Sequence, residues 1–330
     1  MVHSYMLKKD LIYKILKSPK DVVIPTNDIN AWGHFPEFNW IYNKLEVCKT
    51  QNIECAPIGI TPPIFPVILK PIINLYGMGW GCYIVNNKDE YHKKSSFPGY
   101  FWMPLFKGRH LSFDFVLANG KIEWNGCLEG YSSSNGMFDY WESLPDENIP
   151  IFLSEWIAKY LTNYTGCLNI EIIDDKIIDC HLRMGDINQF HSLDLFRNII
   201  KVYQKQPWDL DFKVPKIYLI PVFVDYTVSS LTNLLISYKI NFKEAKEICE
   251  SIDPESKIIF TCQIDPHQND SHNPTGGVRI ANLNTNHLET GLMVRKQILE
   301  FVNKKKYNKR RLILIYISII IYILIIFSVG

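Results

Sequence analysis

Five polar side chains fall on alternating positions of one short stretch, and their types suit metal and phosphate chemistry. In residues 167–183, CLNIEIIDDKIIDCHLR, two apolar-rich runs flank Asp174-Asp175-Lys176. Alternate residues of a strand point to opposite faces. Read as a hairpin, the first run sets Leu168, Ile170 and Ile172 on one face and Asn169 and Glu171 on the other. The second sets Ile178, Cys180 and Leu182 against Asp179, His181 and Arg183. A turn at 174–176 brings Glu171 directly opposite Asp179. Carboxylates so placed repel unless a cation lies between them. Mg²⁺, held by carboxylates and phosphate oxygens, is the natural candidate. The competing reading is a solvated sheet face with incidental charges, and spacing alone leaves it open.

A second candidate lies upstream. An apolar strand run, Phe65 to Leu69, ends at Lys70-Pro71 and leads into NLYGMGWG, residues 74–81. Gly77, Gly79 and Gly81 let backbone amides approach phosphate oxygens, and Lys70 supplies charge. The GK[ST] ending of a P-loop is missing. By itself such a loop reads equally as a surface turn. A third segment, FWMPLFKGRHLSFD at 101–114, carries Gly108-Arg109-His110, Ser112 and Asp114.

In this order the segments resemble the ATP-grasp superfamily. Asn43-Lys44 resembles the first lysine at a helix start, and Val67 to Pro71 the second lysine strand. Residues 74–81 stand where the phosphate loop belongs, and 108–114 resemble the strand after the hinge. Asn169-Ile170-Glu171 and Asp179-Cys180-His181-Leu182-Arg183 resemble the metal strands. The resemblance spans about 40–190. It implies two α+β subdomains gripping ATP, with Mg²⁺ on the acidic strands and a carboxylate activated as an acyl phosphate. It assigns phosphates to Lys44 and Lys70 with Gly77, Gly79 and Gly81, and the adenine edge to main-chain groups from Met103 to Leu105. His110 joins the nucleotide set. Metal falls to Glu171, Asp179 and His181, and the transferring group to Arg183. This chain departs from the pattern at His181, where Asn is usual, and at Asp179, where Glu is usual. Imidazole is a softer donor than an amide oxygen, which brings in Mn²⁺ as an alternative. Met103 replaces an acidic hinge residue, and the segment before Lys44 is short for the family's N-terminal domain.

The elements that must position these residues follow from periodicity. Strands are expected at 21–25, 53–56, 65–69, 100–104, 110–117, 121–124, 167–173, 177–183, 217–224, 257–264 and 278–283. Helices are expected at 7–16, 38–51, 150–163, 193–204, 242–251 and 287–302. Ala118-Asn119-Gly120 reads as a hairpin turn. Trp124, Phe138, Tyr140 and Trp141 read as core. Gly185-Asp186 with Asn188 and Gln189, and Arg279 in NPTGGVR, are further polar candidates for a substrate contact, each also readable as an ordinary turn or loop. Interleaved elements with several hairpins point to α+β layers, not a doubly wound parallel sheet. The implied organisation is an N-terminal segment 1–60, a small subdomain 61–125, a metal-binding subdomain 126–213 and an extension 214–303. A basic flank 304–311 and an apolar segment 312–330 follow.

Formal net charge is +1, with 47% hydrophobic and 21% charged residues, a globular composition that gives no case for a nucleic-acid-binding surface. The eight cysteines form no CxxC pair and read as buried thiols. The nineteen residues 312–330 carry no charge; as a helix they span about 28 Å, close to the roughly 30 Å of a bilayer core. Lys304, Lys305, Lys306, Lys309, Arg310 and Arg311 precede them, and basic flanks prefer the cytosolic side. The expectation is a single-pass tail anchor with the body in the cytosol. The functional expectation is a membrane-anchored ATP- and Mg²⁺-dependent ligase with an unspecified carboxylate substrate. Two alternatives stand beside it: a catalytically inactive nucleotide-binding scaffold of the same fold, and a membrane-associated structural protein, for instance of a virus.

Overall fold

A computed structural model describes residues 16–224 apart from 17, 20, 78, 95–97, 135–136 and 187–191, together with 247, 251–252, 257–259, 278–300 and 302. The described strands form two sheets, and every described pairing is antiparallel. The smaller sheet holds β1 (Ala56–Pro57), β2 (Val67–Pro71), β3 (Tyr83–Val85) and β4 (Tyr100–Pro104) in the order β1-β4-β2-β3. The larger has the order β11-β12-β10-β7-β6-β5-β8-β9. Its members are β5 (His110–Ala118), β6 (Lys121–Ser134), β7 (Met137–Ser143), β8 (Gly166–Ile173), β9 (Lys176–His181), β10 (Tyr218–Val224), β11 (Lys257–Ile259) and β12 (Val278–Thr285). Strand pairing therefore carries residues 110–134 together into the larger sheet, across the boundary drawn at 125. The extension beyond 214 adds strands to that same sheet.

Helices α1 (Asp28–His34), α2 (Lys44–Thr50), α3 (Lys88–Lys94), α4 (Ile151–Tyr160) and α5 (Leu193–Tyr203) surround the sheets, and residues 288–300 are also helical. One face of the larger sheet, carrying Phe113, Phe115, Leu168, Ile170 and Cys180, packs against Leu153, Trp156 and Ile157 of α4. The opposite face, with Val116, Trp124, Trp141 and Cys167, is covered by Leu195, Phe196 and Ile199 of α5.

Several expectations are corrected. Residues 21–25 form no strand; the chain turns at 19–22, with the Val22 amide donating to the Pro19 carbonyl at 3.0 Å, and Val23 is exposed. The helix expected over 38–51 is broken. A 3-10 turn, Asn39–Tyr42, ends at Asn43, whose φ/ψ of −79/93 leaves the helical region. The Asn43 side chain then accepts from the Glu46 amide at 3.2 Å and starts α2. Asn is a strong cap, so it overrides the continuous apolar stripe. Of 53–56 only Ala56 pairs, with Trp102. Strand β6 runs ten residues past Trp124 to pair with β7, which periodicity did not reveal. Helix α4 stops at Tyr160. Residues 7–15, most of 242–251, 260–277 and 303–330 lie outside the described residues.

The decisive local feature is at the edge of the larger sheet. Asp174 and Asp175 both take φ of 53°, a two-residue turn shorter than the three-residue turn expected. Glu171 nevertheless pairs with Asp179, because a bulge skips Ile178 between the pairs Glu171–Asp179 and Ile172–Ile177. The bulge moves Ile177 onto the face of Cys180 and Leu182 in the main core. Ile178 leaves that face and packs against the cluster of Leu45, Cys48, Ile53, Phe101 and Met103. The Gln51 side chain closes the neighbouring edge: it accepts from the Ile177 amide at 2.7 Å and donates to its carbonyl at 2.9 Å. Gln51→Ala removes both bonds. It should lower stability by about 1–2 kcal/mol in chemical denaturation, with no change in the slope against denaturant.

Candidate active site

The polar faces of β5, β8 and β9 form one continuous row. Ser112 pairs with Glu171, Asp114 with Asn169, Asn169 with His181, and Glu171 with Asp179. This is no solvated face: Ser112, Asp114, Asn169 and His181 are all buried. Buried polar groups must be hydrogen-bonded to persist. Asn169 donates to the Ser112 hydroxyl at 2.9 Å and to the Phe113 carbonyl at 3.2 Å. Asp114 accepts from the Gly185 amide at 2.5 Å, which fixes the chain just past the row.

Each carboxylate at the opposed pair has its own basic partner. His110 Nε2 lies 3.0 Å from Glu171 Oε2. Lys44, the first residue of α2 and itself buried, places its Nζ on Asp179 Oδ1. Its backbone amide donates to the Ile72 carbonyl at 2.9 Å, tying that helix start to the end of β2. Lys70 Nζ donates to the Ile178 carbonyl at 3.2 Å, at the bulge. The charges respond as the geometry requires. Burial opposes ionisation of Asp179, but Lys44, then His181 and Lys70, bring its pKa down to about 2. Burial likewise works against Glu171, and the His110 contact holds it below its usual value. Burial disfavours the Lys44 charge, and Asp179 more than offsets it, keeping the pKa above the usual lysine value.

The glycine loop lies next to these lysines. Gly77, Gly79 and Gly81 take φ of 70°, 60° and 75°. Open space surrounds the first two, whereas a Cβ on Gly81 would fall 2.4 Å from the Tyr100 hydroxyl. Asn74 stabilises the loop by accepting from the Tyr76 amide at 2.9 Å and donating to the Gly77 carbonyl at 3.1 Å. At its end stands Cys82, whose thiol is pushed up by burial, with Lys70 and Lys44 acting in the opposite direction. On β4, Met103 is buried, with its sulfur 3.8 Å from that of Cys48. The pairing of β4 with β1 stops at Trp102. The main chain from Met103 towards Leu105 therefore continues past the last described partner on that side.

The N-terminal segment contributes a group that the sequence did not single out. Asp28, buried in the first turn of α1, accepts from Tyr42 Oη at 3.1 Å and from Arg183 at 2.9 Å, and lies 3.0 Å from His181 Nδ1. Burial opposes its charge, but Arg183 and His181 hold its carboxyl well below the usual range. The Tyr42 hydroxyl also accepts from the Leu182 amide at 3.1 Å, just past the end of β9.

No family model matches the chain, and no curated protein matches it in sequence. Solved structures do match. Carboxyaminoimidazole ribonucleotide synthase from Aspergillus clavatus, complexed with ATP, is 12% identical at a TM-score of 0.55, over 83% of this chain and 75% of that one. N5-carboxyaminoimidazole ribonucleotide synthetase from Thermus thermophilus is 11% identical at 0.51, over 89% and 85%. N5-carboxyaminoimidazole synthetase from Staphylococcus aureus, complexed with ADP, is 11% identical at 0.51, over 82% and 72%.

The fold is ATP-grasp-like. At such identities the likeness shows the fold alone. Within that ATP-grasp-like frame, Lys44, Lys70, Glu171, Asp179 and His181 converge at one sheet edge, with His110 bonded to Glu171. Arg183 reaches them only through Asp28, which sits between its guanidinium and the His181 ring. Arg279 donates to Asp186 at 2.7 and 3.3 Å, and Asn188 and Gln189 lie outside the described residues. Arg109 forks onto Glu129 and Glu147, away from the row. A groove lined by Trp124, Cys127, Leu144 and Phe212 lies elsewhere and contains none of these residues.

The donor set fits a divalent cation that brings oxygen ligands of its own. Glu171 has the His110 ring at 3.0 Å and Asp179 the His181 ring at 3.7 Å, and the Lys44 ammonium already stands as the cation on Asp179. Among the described residues no three His, Cys, Asp or Glu side chains converge as a ready-made cage. Phosphate oxygens would complete the set, as they commonly do for Mg²⁺. The depressed Asp179 gives a pH dependence with a definite sign. Its contribution to stability is complete above its unfolded value near 3.8 and is lost as pH falls towards 2. Lys44→Met removes the largest attraction and leaves His181 and Lys70 alone to oppose the effect of burial. Acid unfolding followed by circular dichroism should then move to higher pH.

Proposed function

We propose that this chain is an ATP- and Mg²⁺-dependent ligase that activates a carboxylate as an acyl phosphate. The observation that carries this reading is the convergence of Lys44 and Lys70 with Glu171 and Asp179 at one edge between the two sheets. Phosphoryl transfer needs positioning and charge neutralisation more than covalent chemistry, and this edge offers both. Lys44, Lys70 and the loop of Gly77, Gly79 and Gly81 would hold phosphates. The main chain of Met103 to Leu105 would meet the adenine edge. Glu171, Asp179 and His181 would hold the cation, which would supply charge neutralisation for the phosphate oxygens. His110 would orient Glu171. The substrate carboxylate oxygen would attack the terminal phosphorus as ADP leaves, and an amine or another nucleophile would then displace phosphate from the acyl carbon. Arg183 would steady the charge that develops on the transferring group.

The second reading, a nucleotide-binding scaffold without catalysis, has an observation in its favour. The Arg183 fork is already engaged, by Asp28 and by the Met184 carbonyl at 3.2 Å. The gathering of the charged residues at one edge weighs against a purely structural protein, in which they would be scattered. We also propose that residues 312–330, outside the described residues, anchor the protein to a membrane with the body on the cytosolic side. The charge-free apolar run and its basic flank support this.

Titration of the full-length protein in mild detergent with ATP and Mg²⁺ tests the main reading. Lys70→Ala and Glu171→Ala should each weaken metal-dependent ATP binding at least tenfold while the protein stays folded. A folded wild-type protein that binds no ATP would remove both nucleotide readings. Arg183→Lys separates them: a ligase should lose turnover and keep ATP binding, whereas a scaffold shows no substrate-dependent ADP release to lose. Expressed in cells, the full chain should sediment with membranes, and a chain ending at 303 should not.

A further inference from the structure

We propose that Asp28 is a positioning residue: it holds His181 as the tautomer whose Nε2 lone pair faces the cation site, making an imidazole nitrogen a metal ligand. This rests on the nucleotide-site reading above and adds the group that supports one of its ligands.

The geometry carries the inference. His181 Nδ1 is 3.0 Å from Asp28 Oδ1. A carboxylate can only accept there, so Nδ1 is the donor. Nε2 is the nitrogen left to meet a cation. It points towards Asp179 Oδ1 at 3.7 Å, beyond hydrogen-bond reach. His181 and Asp179 stand two residues apart on β9, with Glu171 opposite Asp179 on β8 and Lys44 Nζ on the same Asp179 Oδ1. A metal-bound histidine typically gives its other ring N–H to a carboxylate or carbonyl, which fixes the ring and raises its basicity. Asp28 supplies that partner from 153 residues away in sequence.

Asp28 is itself fixed. Its other oxygen takes the Arg183 N–H at 2.9 Å, and Tyr42 Oη donates to Oδ1 at 3.1 Å. The ring is buried, and its neighbour on β8 is Asn169. Rotation of the imidazole would break a bond to a carboxylate that no water can replace. A nitrogen donor beside two carboxylates suits Mn²⁺ and other first-row ions better than it suits Mg²⁺, which prefers oxygen. The inference is therefore a selectivity: Asp28 and His181 bias the site towards Mn²⁺.

The test uses full-length protein with Mn²⁺ and ADP, read by electron spin-echo envelope modulation of the bound manganese. Wild type should show ¹⁴N modulation from a directly bound imidazole. His181→Asn should abolish it and equalise Mn²⁺ and Mg²⁺ affinities. Asp28→Asn should weaken the modulation and lower Mn²⁺ affinity by about 10–100-fold, with Mg²⁺ affinity changed far less. Tyr42→Phe removes another bond to Asp28 without touching the His181 contact, and should leave the modulation intact. This variant separates positioning from a general loss of stability. Manganese bound with ADP but without ¹⁴N modulation overturns the inference and leaves the nucleotide site standing, and so does an Asp28→Asn protein with unchanged modulation. Those outcomes would mean an imidazolium bridging Asp28 and Asp179. Folded wild type that takes up no manganese with ADP overturns the nucleotide-site reading and this inference together.

Discussion

Glu171 and Asp179 stand directly opposite each other on neighbouring strands, and that pairing constrains everything around it. Like charges so close repel, and both carboxylates are largely screened from water. Each therefore needs a positive or proton-donating partner brought from another part of the chain. Lys44 comes from the start of a helix, and His110 comes from the strand on the other side of β8. Lys70 comes from the smaller sheet. Removing one member of a buried charge pair typically costs about 3–5 kcal/mol, because the other charge is left without compensation. The two sheets are thus tied at one edge by the same charges that a bound nucleotide and metal would engage.

The bulge at Ile178 makes this edge possible. A regular hairpin with a two-residue turn would slip the register by one, turning the polar residues of β9 to the apolar face. Skipping one residue restores Glu171 to Asp179. It also frees the Ile178 carbonyl to receive Lys70 and sends the Ile178 side chain across to the smaller sheet. One inserted residue therefore serves register, lysine placement and contact between the sheets. The Gln51 amide holds the adjacent residue, Ile177, as a neighbouring strand would, so the edge is defined on both sides of the bulge.

The α+β class, both hairpins and most of the candidate residues were legible because they rest on short-range rules. Alternation in 167–183 separated the polar and apolar sets, and Asn119-Gly120 marked its turn by the positive φ both residues adopt. The opposition of Glu171 and Asp179 came out correctly through a different route, a two-residue turn plus a bulge, since the two paths give the same pairing beyond residue 178. What failed was set by tertiary context. The stripe over 38–51 reads as one helix until the capping Asn43 breaks it. The DVVIP segment at 21–25 has strand composition but pairs with no described strand. Nothing in the sequence pattern singles out Asp28. Its meeting with His181 and Arg183 depends on a fold that no local pattern encodes. His110 was assigned to the nucleotide on resemblance, and its bond to Glu171 depends on β5 lying beside β8.

Asp28 shows why stability is a poor explanation for the charges at this edge. Its carboxylate is buried and carries three polar contacts, and the Arg183 guanidinium and His181 ring are drawn in with it. A well-packed apolar set of the same size would hold α1 against the end of β9 at least as firmly. Ionised and hydrogen-bonded groups supply something packing cannot, which is direction. They hold the His181 ring through Nδ1 and fix where the Arg183 fork points. A short N-terminal segment, 28–42, thereby governs two side chains of the opposite subdomain. The placement of these charges is accounted for by what they orient, which is the polar edge of β9.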